Sequence, residues 1–291
     1  MRSAVLFSLV LAACASAPRP VHRTDWRDVD AALGKSGTLQ ADDVYKVSFP
    51  RSDLDVVAGG IHVRPALALG SWVAFIDIGT TTMVMGDLVL VESEVSNVIA
   101  ALRIGVIDQT ALHNHLLGES PHVMYLHFSG HGDAAALART LHDALGRMGT
   151  PMTPSGAAPP PVDLPTADLD RIIGVAGKSN GGVFQFSVPR SERILDHGMV
   201  IPPSAGVATA INFQPTGGGR AAISGDFVLR ADEVNGVIGA LREGGIDITA
   251  LHSHMLTEEP RLFFMHFWAN DDAVTLAKTL RTALDRTRIL R

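Results

Sequence analysis

Apolar residues recur along this chain in two rhythms. From Val44 to Phe49, Trp72 to Ile78 and Met83 to Val91 they form short runs that alternate or are rich in β-branched and aromatic types, as half-buried strands are. From Ser93 the rhythm changes. Val95, Val98, Ile99 and Leu102 stand at i, i+3, i+4 and i+7, one face of a helix that Ser93 can cap and Gly105 can close. Strand-like segments from Thr110 to Leu117 and from Val123 to Phe128 follow, and the polar break from Gly118 to Pro121 predicts a hairpin between them. Asp133 then caps a last helix with Leu137, Leu141 and Leu145 on one face. Upstream, Thr24 caps a short helix with Trp26, Val29 and Leu33 inward and Gly34 at its end. The expected order is α-β-β-β-α-β-β-α. Its last five elements resemble a split βαβ, or ferredoxin-like, core. The fold class expected is α+β, with a mainly antiparallel sheet and flanking helices.

The same pattern then repeats. Ala111 to Pro121 and Ala250 to Pro260 both read A-L-H-x-H-x-L-x-E-x-P, and the offset is 252 − 113 = 139. That offset holds without a gap from Val44 to Leu145. Upstream, an offset of 143 matches Gly34-Lys-Ser to Gly177-Lys-Ser, which predicts that a loop there lost or gained about four residues. Two copies are too few for a solenoid. The expectation is two similar domains, or two halves about a pseudo-two-fold axis: repeat domain one at 24–148 and repeat domain two at 166–291. The Pro-rich stretch 149–165 between them is expected to be a stiff, solvated linker.

Composition changes the picture little. Of 291 residues, 46% are hydrophobic and 19% charged, ordinary for a globular chain. The net charge of −6 and the lack of basic clusters argue against nucleic-acid binding. The single cysteine, Cys14, excludes an intrachain disulfide. Its position is informative. A basic start and a short apolar run precede Leu11-Ala-Ala-Cys14, which fits the bacterial lipobox. The expectation is a signal peptide at 1–13, a lipid anchor on Cys14 and a tether at 14–23. Three acyl chains would hold the protein stably on a membrane. In a Gram-negative host, Ala15 favours the outer membrane.

The repeated motif is rich in metal-ligand residue types. Residues i and i+2 of a strand share a face, so His113 and His115 project together. A hairpin centred on Ser120 would set His127 directly across from His113, with Glu119 at the mouth. His113, His115, Glu119 and His127 could then hold a divalent transition metal, zinc first, and His252, His254, Glu258 and His266 would repeat the set. The bland reading is histidines hydrogen-bonded across one sheet face, or gripping a small polar ligand. Arg51 and Arg190 could bind an anion, although ion pairing suits them better. Asp87 and Asp226, each after a glycine, suit a turn or bulge. No P-loop is present.

The segment Gly86 to Leu90, the A-L-H-N-H-L-L-G-E-S-P run, the stretch Tyr125 to Asp133 and the lipobox together resemble the LppY/LpqO family of bacterial lipoproteins. The resemblance implies an exported, lipid-anchored envelope protein and supplies no activity, cofactor or catalytic residue. Two functions are expected. One is an envelope binding protein with a metal or small-ligand site in each repeat. The other is a metal-dependent hydrolase or related enzyme using one of them.

Overall fold

The computed structural model describes residues 24–153 and 158–290. The leader, Cys14 and the tether lie outside the described residues. Copy one begins with α1 (Trp26–Leu33), β1 (Thr38–Leu39) and β2 (Val44–Pro50). A small hairpin follows, β3 (Val57–Ala58) and β4 (Ile61–His62), then one turn, α2 (Pro65–Ala68). The chain continues through β5 (Gly70–Asp77), β6 (Thr82–Val91), α3 (Glu92–Ile104), β7 (Asp108–His113), β8 (Val123–Gly132) and α4 (Ala134–Leu145). Copy two opens with α5 (Thr166–Ile173), β9 (Lys178–Asn180), β10 (Val183–Pro189) and the hairpin β11 (Leu195–Asp196) and β12 (Met199–Val200). A 3-10 turn at Pro203–Ala205 stands in place of α2. Then come β13 (Ala208–Gly217), β14 (Arg220–Leu229), α6 (Val234–Glu243), β15 (Asp247–His252), β16 (Phe263–Asp272) and α7 (Ala273–Leu284).

Each copy carries one six-stranded antiparallel sheet, in the orders β1-β2-β5-β6-β8-β7 and β9-β10-β13-β14-β16-β15. The protein is α+β, with seven helices among the described residues and two similar halves. The small hairpins and α2 were not expected from the apolar rhythm, because elements of two to four residues are too short to show a period.

Strand alternation sorts the side chains into layers. In β6, Val84, Leu88 and Leu90 join Val29, Leu33, Val98, Leu102, Leu137 and Leu141 in a core made only of copy-one residues. Their neighbours Met83 and Met85 point the other way, into a core shared with Ile194, Ile201, Val228, Met255 and Phe264 of copy two. A second shared core joins Leu67, Val89, Val123 and Tyr125 to Val183 and Ala222. Helices therefore cover one face of each sheet, and the other faces meet. Copy two has its own helix-side core as well. This explains why β6 is buried along nearly its whole length. Of the two arrangements the duplication allowed, the halves packed face to face are the one observed.

Several local expectations need correction. α1 is capped by Asp25, whose side chain accepts from the Arg27 N–H, while Thr24 donates its own N–H to Asp77. Gly34 and Gly174 end α1 and α5 in left-handed conformations, and each donates to the aspartate carbonyl four residues back, Asp30 and Asp170. The helices thus align at 174 − 34 = 140, so the two loops differ by one residue and not four. The Gly-Lys-Ser match at 143 is coincidental. α3 starts at Glu92, directly from β6, with the Glu94 carboxylate accepting the Val91 N–H, so Ser93 lies inside the first turn. The 149–165 stretch is not wholly solvated. Met152 packs on the copy-one core, and Val162 and Leu164 on that of copy two.

Candidate metal centre between the two copies

β7 ends at His113, earlier than the expected Leu117, and residues 114–122 form a long connection rather than a tight hairpin. Its far end is tied down where Ser120 and Val57 exchange backbone hydrogen bonds. A bulge between Gln109 and Ala111 shifts the register. His127 therefore sits opposite Ala111, and His113 opposite Tyr125, so the two histidines are diagonal rather than directly paired. They still share the face turned to the other copy, with ring centroids 5.0 Å apart. His115, beyond the strand end, curls back until its Nε2 lies 3.1 Å from Nε2 of His113.

The two expected sites are one. His113 stacks on His252 at 3.6 Å, His115 on His266 at 3.7 Å, and His127 meets His254 at 3.8 Å. Exchanging the copies, at 254 − 115 = 139 and 266 − 127 = 139, turns the second pair into the third and the first into itself. This is the pairing a two-fold axis through the His113–His252 contact requires. Both H-x-H segments face the same interface, so six histidines converge on one buried volume.

Two aspartates join them. Asp87 lies directly across from His127 on β6, and Asp226 across from His266 on β14. Asp87 Oδ2 is 3.5 Å from His115 Nε2 and 3.9 Å from His127 Nε2. Asp226 Oδ2 is 3.1 Å from His254 Nε2, and its Oδ1 is 4.0 Å from His266 Nε2. The turn or bulge role expected of these aspartates does not hold. The available signal was a carboxylate inside an otherwise apolar strand, a position that needs a partner.

Glu119 and Glu258 are not part of the centre. Glu119 Oε1 accepts the Val123 N–H at 3.2 Å and meets His122 Nδ1 at 2.7 Å. Glu258 Oε1 accepts the Leu262 N–H at 2.9 Å, and its Oε2 takes Arg261 Nη1 at 3.1 Å. Both carboxylates close their own turns because the strand has ended before them and its parity no longer governs them. Arg51 and Arg190 are not anion sites either. Each is buried among carboxylates of its own copy, Asp53 and Glu94 or Glu192 and Glu233.

Backbone carbonyls set the ring orientations. Nδ1 of His127 donates to Gly86 O at 3.1 Å, and Nδ1 of His266 to Gly225 O at 2.9 Å. Nδ1 of His254 donates to Gly206 O, and Nδ1 of His252 to Ser253 O. That assignment leaves each Nε2 with its lone pair free, the arrangement found behind metal-ligating histidines. Gly86 is required where it stands, since a Cβ there would lie 2.3 Å from the Trp72 carbonyl oxygen and 2.6 Å from the Phe128 ring. The same holds at Gly225 against Ala210 and Phe267.

Buried Nε2 atoms of His127, His252, His254 and His266, Nδ1 of His113, and one oxygen each of Asp87 and Asp226 have no hydrogen-bond partner. Leaving so many buried polar atoms unsatisfied is costly. Three sets of side chains bring ligand atoms within 4.8 Å of one another: Asp226, His252, His254 and His266; His113, His115 and His266; and His113, His127 and His252. Cavities of 290 and 330 Å³ lie elsewhere, and no histidine of the centre lines either.

Burial sets the charge states. It holds His113, His115, His127, His252 and His254 below the ordinary histidine range, and the neighbouring rings add to the effect at four of them. Burial also lowers His266 to about 4, against the pull of Asp226. Burial pushes the Asp87 carboxyl up to about 8, with the nearby Asp226 contributing, and burial raises Asp226 against the pull of His266 and His252. The linkage follows. Below the unfolded histidine value of 6.5, the unfolded chain binds protons that the folded one refuses, so stability falls as pH falls. Each such histidine contributes about 1.4 kcal/mol per pH unit. The raised aspartates act oppositely, two groups against six. Chelator-treated protein should therefore lose stability steeply from pH 6.5 toward 4, as urea midpoints at stepped pH would show. A flat profile would mean the rings are solvated.

The geometry thus defines a class: a duplicated α+β protein whose copies close around a shared histidine–aspartate centre. The chain belongs to the family described as Domain of Unknown Function (DUF1259), whose model matches residues 27–147 and 167–286, one match per copy. This match overturns the resemblance to the LppY/LpqO lipoproteins, since the family found is the domain of unknown function in two tandem copies. No curated protein matches. Among solved structures, the chain is similar to EtuB from Clostridium kluyveri at 12% identity and a TM-score of 0.20, covering 86% of this chain and 88% of that one. It is also similar to the trimeric bacterial microcompartment shell protein PduB at 11% identity and a TM-score of 0.21, covering 88% and 95%. Likenesses this distant carry no argument about this chain.

Proposed function

We propose that this protein binds a divalent transition metal, zinc first, through the histidines and aspartates between its two copies. The observation that supports this is the convergence of buried, unpartnered ring nitrogens whose opposite nitrogens are held by backbone carbonyls. Imidazole with carboxylate is a ligand set suited to zinc and its neighbours. A cation would satisfy these atoms and offset the repulsion between Asp87 and Asp226. The buried position, away from the cavities, supports a binding or structural role over the metal-dependent hydrolase reading. The lipobox at Cys14 supports an exported, membrane-anchored location. The path from β6 through α3 to β7, with β8 hydrogen-bonded between those two strands, supports the ferredoxin-like reading of each copy's C-terminal part.

Elemental analysis of protein purified without chelator should find transition metal in near-stoichiometric amount. Replacing both His113 and His252 by Ala should remove it and leave the far-ultraviolet circular dichroism largely unchanged. Wild-type protein that takes up no zinc after incubation at neutral pH would refute the reading.

A further inference from the structure

We propose that the centre is dinuclear and that His113 bridges its two metal ions through its two ring nitrogens. The inference rests on the metal-binding reading above. His113 differs from four of the other five histidines of the centre in how its nitrogens are used. The Nδ1 atoms of His127, His252, His254 and His266 are each committed to a backbone carbonyl. Nδ1 of His113 is buried with no hydrogen-bond partner, and its Nε2 faces His115 Nε2 at 3.1 Å. Two nitrogens on one tetrahedral zinc, each at 2.0–2.1 Å, stand roughly 3.3 Å apart. The His113–His115 separation is therefore close to one edge of a coordination tetrahedron.

His113 also belongs to two ligand sets that otherwise share no residue, one with His115 and His266 and one with His127 and His252. Each set takes rings from both copies. Asp87 stands between them, 3.5 Å from His115 of the first set and 3.9 Å from His127 of the second. Asp226, near His254 and His266, completes a donor pool of six histidines and two aspartates. With His113 counted at both ions, these side chains offer one donor more than two four-coordinate ions need. Bridging requires imidazolate: the ring N–H of His113 loses its proton to solvent as the second ion binds, and one metal–nitrogen bond forms in its place. No electron is transferred.

Copper(II) is the probe, because imidazole sites bind it tightly and its unpaired spin reports a neighbour. The full-length protein should take up two copper(II) ions. Its electron paramagnetic resonance signal should grow with the first ion and be largely lost with the second, as the bridge couples the spins. His113→Ala should abolish that loss, leaving either two uncoupled coppers at full signal or one. His252→Ala leaves the set of His113, His115 and His266 whole, and its Nδ1 is spent on Ser253, so the coupled pair should persist at weaker affinity for the second ion. Thermal melting of each variant checks that it folds. Wild type that stops at one copper, or holds two at full signal, overturns the bridge while leaving metal binding intact. Coupling that survives in His113→Ala also overturns it. Binding of no metal at all overturns this inference together with the reading beneath it.

Discussion

Removing metal from the protein with a chelator should lower its melting midpoint by roughly 10 °C. The proposed ligands come from β6, the β7–β8 segment, β14 and the β15–β16 segment, so the unfolded chain cannot present them together. A ligand that binds only the folded state stabilises it by about 4 kcal/mol at a thousand times its dissociation constant. In a protein of this size each kcal/mol moves the midpoint by about 2–4 °C. The stripped protein is also left with its unsatisfied ring nitrogens and an unpartnered oxygen on each of Asp87 and Asp226. Differential scanning calorimetry with and without chelator measures the shift, and zinc added back should restore it. The His113→Ala, His252→Ala double variant should melt at one temperature under both conditions. Equal midpoints for metal-treated and stripped wild type would show that the centre contributes nothing to cohesion of the two copies.

Replacing Arg51 by Ala should cost about 3–5 kcal/mol, and Arg190→Ala a similar amount. Arg51 is 1% exposed, so its partners would be left in a poorly solvated space. Its Nη1 donates to Val89 O and to Glu94 Oε2, both at 2.7 Å, and its Nη2 donates to Asp53 Oδ2 at 2.8 Å. Glu94 also accepts the N–H groups of Val91 and Gly149, joining the end of β6, the start of α3 and the segment after α4. Arg190 repeats this with Val228 O and Glu233, which accepts from Arg230 and Arg288. Lysine should recover only part of the loss, since it cannot reproduce the planar fork. Urea unfolding measures the effect. A loss below about 1 kcal/mol would class the pair with solvent-screened surface ion pairs.

Much of each copy was legible in the sequence. Long elements show a period, so α3, α4 and the strands β2, β5, β6 and β8 fall where the apolar rhythm put them, within a few residues. The duplication was legible because one offset carries β2, β7 and α4 onto β10, β15 and α7. His113, His115 and His127 were legible as one group because strand parity is local. The end of β7 was not. His115 and Leu117 continue the alternation in sequence, yet the chain is pulled aside by the Ser120–Val57 pairing, made with a segment more than sixty residues away. The loss of Glu119 and Glu258 from the site follows from the same departure.

The sequence alone therefore determined most of the longer secondary elements, the two-copy plan and six of the eight side chains at the centre. Those features depend on neighbours along the chain. Tertiary structure decided that the two histidine sets form a single centre, that Asp87 and Asp226 belong to it, and that Glu119, Glu258, Arg51 and Arg190 do not. The reason is physical. Each sheet has helices on one face and a second apolar face that must be covered. The other copy covers it, and the stacking of like on like brings equivalent residues together around an axis. No spacing within one copy encodes that contact. It arises when two similar surfaces find that burying each other is the most favourable way to leave water.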